Sequence, residues 1–264
     1  MLVLSQKYYN ALRYFIELSY KGTNYHGWQR QPNAISVQEV LETALSTLLR
    51  THIEIVGAGR TDAGVHARKI MAHFDVITSI DEELLTYKLN SLLPVDIAIH
   101  SVDRVTDDAH ARFDALSRSY EYFVNVRKDP FGTGTSYYVK KELDLDKMNR
   151  AAKMLLNYTN FKCFSKSKTD VKTYNCTITN AEWKTKGDRM VFMISANRFL
   201  RNMVRAIVGT LIEIGEVKLE LCDLEVIIES ENRSNAGYSV PAQGLFLTEV
   251  KYPQNIYLNG EKNG

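Results

Sequence analysis

The chain has 264 residues, 45% of them hydrophobic and 24% charged, with a formal net charge of +2. This is an ordinary soluble globular composition, enough for one large domain or two of about 100 to 150 residues. No segment, the opening MLVLSQKYYNALRYF included, approaches the roughly 18 to 20 consecutive apolar residues of a membrane span, so a cytoplasmic protein is the default expectation. Cys163, Cys176 and Cys222 are odd in number and lack paired close spacing, which speaks against a disulfide framework and a structural zinc site. They read as reduced core thiols. Charge is unevenly placed: from 140 to 205 there are 15 Lys and Arg against 6 Asp and Glu, whereas from 213 to 231 one Lys faces 7 acids. That permits a basic surface for a polyanion, although the charges could equally mix on folding.

In chain order, residues 11 to 20 put Leu12, Tyr14, Ile16 and Leu18 on one side of an extended segment, opposite Arg13, Glu17 and Ser19. They predict a strand. After KGTNYHGWQRQPNAI, the segment SVQEVLETALSTLLR repeats apolar residues at three-and-four spacing behind a Ser36 and Glu39 capping pattern, which predicts a helix. HIEIVGAG reads as a short strand entering a glycine loop, and KIMAHFDV as a strand with Ile70, Ala72, Phe74 and Val76 on one face. RSYEYFVNV alternates Tyr120, Tyr122, Val124 and Val126, and LDLDKMNRAAKMLL offers Leu145, Met148, Ala151, Ala152, Leu155 and Leu156 as a helical face. TITNAEWKTKGDRMVFMISA reads as two strands joined around Gly187, followed by an apolar helix from about 198 to 214. Recurrent hairpins favour α+β with mostly antiparallel sheets over a doubly wound parallel sheet, with a domain boundary near 105 to 115.

The loop GAGRTDAGVHA, residues 57 to 67, carries Gly57, Gly59 and Gly64 around Arg60 and Asp62. Its spacing misses the dinucleotide pattern, it precedes an alternating strand instead of a helix, and no G-K-[ST] follows. Nor does the TDAG segment recur as an aspartic protease pair requires. His66 and His73 lack further matching ligands for a metal. Two readings stay open on residues alone. The glycines serve turns while Asp62 caps one or pairs with Arg60; or they let the backbone approach a bulky ligand, with Arg60 presenting donors to phosphate or base and Asp62 acting as nucleophile or general base.

In the expected helix from 198, Arg198, Arg201, Asn202 and Arg205 share a face apart from the apolar one, which fits either anion binding or solvated charge. Tyr20, Tyr25, Trp28, Tyr120 and Tyr122 are mostly core candidates by register, with some able to stack on unpaired bases.

GAGRTDAGVHA resembles the signature of the TruA family of tRNA pseudouridine synthases. The resemblance extends through YKGTNYHGWQRQ and SVQEVLETAL, through LNSLLPVDIAI and HARFDALSRSYEY, and on to FLRNMVRAIVGTLIEIG and PAQGLFLTEVKYP. It implies two α+β domains, 1–108 with the aspartate loop and 109–264, flanking an active-site cleft in the pseudouridine synthase fold, and a homodimer that holds the tRNA anticodon stem-loop. It implies an isomerase that converts uridine to pseudouridine at positions 38, 39 and 40, with no cofactor and no metal. By motif position Asp62 is the essential aspartate and Arg205 its basic partner; Arg60 holds RNA around the extruded nucleotide, Tyr120 packs on the target base and Leu245 touches the uracil. The alternatives are a synthase for another RNA and a tRNA-binding protein without the chemistry. The chain departs from the family in NYTNFKCFSKSK, where Thr159 and Asn160 precede Phe161 in place of a His-Asp pair. That departure bears on substrate positioning more than on catalysis.

Overall fold

The alternating segments become the strands of two compact units, which the computed structural model describes over residues 11–167 and 171–258. One unit contains residues up to Ala63, then Ala67–Leu116 and the segment from Val250; the other contains Gly64–His66 and Ser117–Glu249.

In the first unit, β1 (Leu12–Tyr20), α1 (Val37–Leu49), β2 (Val56–Gly57), β3 (His66–Val76), α2 (Glu82–Leu92) and β4 (Ile97–Arg104) follow one another. Strand β1 is central, antiparallel to β3 on one side and β4 on the other, with Phe15 opposite His73 and Ile16 opposite Val102. Its burial goes beyond simple alternation. Phe15, on the side shared with Arg13 and Glu17, is buried like Ile16, because Tyr252 and Tyr257 cover it edge-on at 5.1 and 6.2 Å. Likewise Met71 and His73 are as buried as Ile70, Ala72 and Phe74, so both faces of β3 are lined with protein. Ser36 caps α1 by accepting from the Glu39 N–H at 3.2 Å, and Arg50 ends the helix in the left-handed region. The strand expected across HIEIVGAG is only Val56–Gly57, paired to β3.

The second unit contains β5 (Ser117–Asn125), β6 (Tyr137–Tyr138), α3 (Leu145–Met154), β7 (Ile178–Lys186), β8 (Arg189–Ala196), α4 (Met203–Gly215), α5 (Leu221–Glu229) and β9 (Leu245–Lys251), whose last two residues fall in the first unit. Its strand order is β9-β5-β8-β7, with β6 parallel on β5. Strands β7 and β8 form the expected hairpin around Gly187, which takes a positive φ of 61°. Met148, Ala151, Ala152 and Leu155 pack with Trp183, Phe192, Ile207 and Leu211 in one core. Leu156 is exposed instead, because the α-helix ends at Met154 and a 3-10 turn follows.

Two expectations are corrected. The helix expected from about 198 begins at Met203, since Asn202 sits in the left-handed region at φ 69° and interrupts it. Arg198 and Arg201 therefore precede the helix and do not share a helical face with Arg205. Cys163 and Cys176 are buried, and burial pushes their thiols up to about 12 and about 11, but Cys222 is exposed on α5. Among the described residues, no helix is long and apolar enough to cross a membrane.

Candidate active site

Asp62 lies in the first unit, half-buried, in the loop between β2 and β3 just before a turn at Ala63–Gly64. Its neighbour Thr61 is held from two sides. The Thr61 hydroxyl shares a 2.8 Å hydrogen bond with the Tyr20 hydroxyl, and the Thr61 carbonyl accepts from the Trp28 N–H at 3.4 Å. Gly27 makes this approach possible. It has φ 91°, and a Cβ there would lie 2.3 Å from the Thr61 oxygen and 3.2 Å from the Asp62 carbonyl carbon.

The three loop glycines have three different explanations. A Cβ at Gly57 would meet the Trp28 ring at 2.4 Å, and Gly64 holds φ 78°. Around Gly59 no atom lies within 4 Å of a would-be Cβ. Protein packing therefore does not require glycine at 59, and this is where an outside group could approach the backbone beside exposed Arg60. One residue beyond Ala63 the chain enters the second unit at Gly64. There the buried His66 ring donates through Nε2 to the carbonyl oxygens of Gly134 and Gln243 at 3.0 and 3.1 Å and lies 4.5 Å from the Phe246 ring. His73 faces other partners in the first unit, so the two histidines form no pair.

Tyr120, Arg205 and Leu245 all belong to the second unit, where the segment from Ser239 to Leu245 meets Arg205 and Tyr122. Arg205, on the first turn of α4, donates from Nε to the Val240 carbonyl at 2.7 Å, and the Val240 N–H returns a bond to the Arg205 carbonyl at 3.2 Å. Tyr122 is fully buried and donates to the Pro241 carbonyl at 2.8 Å. Its phenol is pushed far up by burial, with the Arg205 charge opposing that shift. Gly244 packs on this ring: a Cβ would lie 2.6 Å from Tyr122 Cζ. Tyr120, two residues earlier on β5, is half-buried and meets Phe199 edge-on at 5.1 Å. Leu245 is buried at the start of β9. Of the aromatics expected to divide between core and ligand, Tyr20, Tyr25, Trp28 and Tyr122 are core, and only Tyr120 is partly open.

Arg233 and Gly209 help to hold this arrangement and were not among the sequence-derived candidates, and Asn202, expected on a polar helical face, instead turns the chain into α4. Asn202, at its left-handed φ, donates to Ser239 Oγ at 2.7 Å, and Arg233 donates to the same oxygen at 2.8 Å. Gly209 lets the chain at Tyr238 lie directly on α4, because a Cβ there would overlap the Tyr238 oxygen. An asparagine directly before an apolar helical run was the available signal for the left-handed turn.

The basic and acidic stretches partly mix on folding. Lys141, Lys147 and Lys162 pair with Glu216, Glu220 and Glu231 at 3.8, 2.8 and 3.2 Å. In the departing segment, Asn160 also donates to Glu231 at 2.8 Å and accepts from the Lys162 N–H at 3.1 Å, while Phe161, Cys163 and Phe164 are buried. Asn160 thus makes surface hydrogen bonds that tie this segment to Glu231, just beyond α5.

The model of the family described as tRNA pseudouridine synthase matches residues 18–114 and 151–253. The chain is 53% identical over 247 residues to tRNA pseudouridine synthase A of Bacteroides fragilis, covering 93% of this chain and 98% of that one. It is 52% identical over 246 residues to the protein of that name from Parabacteroides distasonis, with 93% and 98% covered. Identity to the Staphylococcus aureus protein of that name is 36% over 249 residues, with 94% and 93% covered. A mixed α+β fold with mostly antiparallel strands, an aspartate loop fixed through its preceding residue, and matches over nearly the whole length agree. The chain belongs to the tRNA pseudouridine synthase family.

Proposed function

We infer that this protein is an isomerase that converts uridine to pseudouridine within tRNA, acting at positions 38, 39 and 40 of the anticodon stem-loop, in the cytoplasm and as a homodimer. The observation that carries the reading is the 53% identity over 93% of the chain, a span that includes the Asp62 loop. In the reaction the bond from C1′ to N1 breaks and one from C1′ to C5 forms, while C5 loses a proton and N1 gains one. The change is redox-neutral and transfers no phosphoryl group.

Asp62 is the proposed essential carboxylate. Its support is structural economy: Gly27, Tyr20 and Trp28 all converge on Thr61, the residue that sets where the Asp62 backbone begins. Arg60, exposed beside the open Gly59 backbone, is proposed to hold RNA around a nucleotide taken out of its stack. Tyr120 is the proposed aromatic contact to the target base and Leu245 the apolar one. Arg205 is the proposed basic partner of the reacting carboxylate, with Val240 fixing the side chain through Nε.

The test is to incubate the protein with unmodified tRNA transcripts and map pseudouridine by chemical labelling. Pseudouridine confined to positions 38 to 40 supports the reading. Modification elsewhere moves it to another site or RNA, and none at all, with tRNA bound, moves it to a binding role.

A further inference from the structure

The segment HARFDAL, whose function the proposed reaction leaves open, forms a closely hydrogen-bonded loop that presents an aromatic ring. Five successive backbone N–H groups are bonded inward. His110 N–H donates to Asp114 Oδ2 at 2.6 Å, Ala111 N–H to His73 Nδ1 at 3.1 Å, Arg112 and Phe113 N–H to His110 Nδ1 at 3.1 and 3.3 Å, and Asp114 N–H to the His110 carbonyl at 3.0 Å. The Ala111 carbonyl accepts from the Tyr252 hydroxyl. Ala109 and Ala111 are buried, which anchors the loop, yet Phe113 is 75% exposed.

A loop bonded this closely could have turned its aromatic side chain inward, yet Phe113 faces out, as does Leu116 at the end of the segment. The ring is also braced: His110 lies 4.3 Å away, tilted 34°, and the Arg112 guanidinium is 5.7 Å from its centroid. A preset ring beside a cation matches the two things every nucleotide offers, a flat base and an anionic phosphate. The charged residues on either side of Phe113 in the chain, Arg112 and Asp114, suit a polar ligand with one flat face better than an apolar protein surface.

We propose that Phe113, with Arg112, is a stacking platform for an unpaired base of the tRNA substrate. The proposal rests on the tRNA reading above and adds a contact to it. Stacking holds the base and Arg112 takes a neighbouring phosphate, so the two residues differ in how salt affects their share of binding.

The experiment measures tRNA affinity against salt for wild type, Phe113→Ala, Phe113→Trp and Arg112→Gln, with oligomeric state followed by sedimentation. Phe113→Ala is expected to weaken binding roughly five- to twentyfold with an unchanged salt slope, and Phe113→Trp to bind at least as well as wild type. Arg112→Gln is expected to reduce the slope by about one charge. The introduced indole serves as a reporter because Trp28 and Trp183 are buried. Its fluorescence should be quenched by tRNA and become protected from acrylamide, and this decides the matter even if Phe113→Ala does not fold. Unchanged affinity in Phe113→Ala, or an indole indifferent to tRNA, overturns the proposal. So does a change in oligomeric state on removing the ring, which would assign it to contact with a second copy. If wild type binds tRNA and releases C5 tritium while these variants bind normally, the platform alone has failed; if wild type binds no tRNA, the functional reading itself has failed.

Discussion

Gly27→Ala places a methyl group against the peptide that leads into Asp62, and its effect can be worked from two contacts. The first cost is conformational: at φ 91° a residue with a Cβ loses about 1–2 kcal/mol relative to glycine. The second is steric. A Cβ would stand 2.3 Å from the Thr61 oxygen where ordinary contact begins near 3.4 Å, so the Thr61–Asp62 peptide must retreat by about 1 Å. Overpacking of this kind costs about 1–3 kcal/mol, giving about 2–5 kcal/mol in all. A displacement of about 1 Å in a catalytic group typically costs about 100-fold in rate. Gly27→Ala is therefore expected to lower kcat/KM for tRNA by about two orders of magnitude and to lower the midpoint of thermal unfolding. Gly59→Ala is the stability control, because its methyl group meets no protein atom within 4 Å and should leave the midpoint close to wild type. The assay is single-turnover pseudouridine formation beside calorimetric unfolding. A Gly27→Ala protein with wild-type turnover and an unchanged midpoint would refute the argument that this glycine positions the Asp62 loop.

Three further outcomes are expected. His73 is held down to about 4 by burial first and then by the Arg13 charge, and its Nδ1 accepts the Ala111 N–H, so the folded protein keeps it neutral. Its stabilising contribution is complete above the ordinary value of about 6.5 and is lost as pH falls toward about 4, amounting to about 3 kcal/mol over that window. His73→Asn, which retains an acceptor without titrating, should flatten this part of the pH profile in urea unfolding; an identical profile would contradict it. Tyr122→Phe leaves the Pro241 carbonyl without its 2.8 Å donor and should cost about 1–3 kcal/mol in the same assay. Binding of tRNA should weaken steeply between low and high salt, as phosphate contacts require, and an affinity indifferent to salt would contradict a basic docking surface.

What the sequence made legible follows from how local each signal is. Strand β1, helix α1 and the β7–β8 hairpin announce themselves through period and punctuation, down to the Ser36 cap and the turn at Gly187. Helix α2 carried a legible start in Asp81, whose side chain caps Leu84 N–H at 2.9 Å, but its weak apolar pattern hid it. The true start of α4 was hidden because apolar periodicity runs backward through Phe199 and Leu200 past the left-handed Asn202. Burial of Phe15 and His73 could not be read from alternation, since it depends on Tyr252, Tyr257 and the loop around Ala111, all distant in sequence.

For the candidate site, residue chemistry alone left Asp62 between a turn cap and a reacting group, and only the resemblance favours the second. The glycines looked alike in sequence, yet Gly57 answers to Trp28, Gly64 to a positive φ, and Gly59 to neither. The bond from Arg205 to Val240 spans 35 residues and that from Tyr122 to Pro241 spans 119, so no local pattern could disclose them. The basic stretch was legible as composition, but its partial neutralisation by Glu216, Glu220 and Glu231 required the packing of the second unit.

The most direct test of the central claim is release of tritium from tRNA labelled at uracil C5, comparing wild type with Asp62→Asn at matched tRNA occupancy. Wild type should release tritium, the nearly isosteric variant should release none, and their tRNA affinities should lie within a few-fold of each other. Turnover by Asp62→Asn at the wild-type rate would contradict that claim.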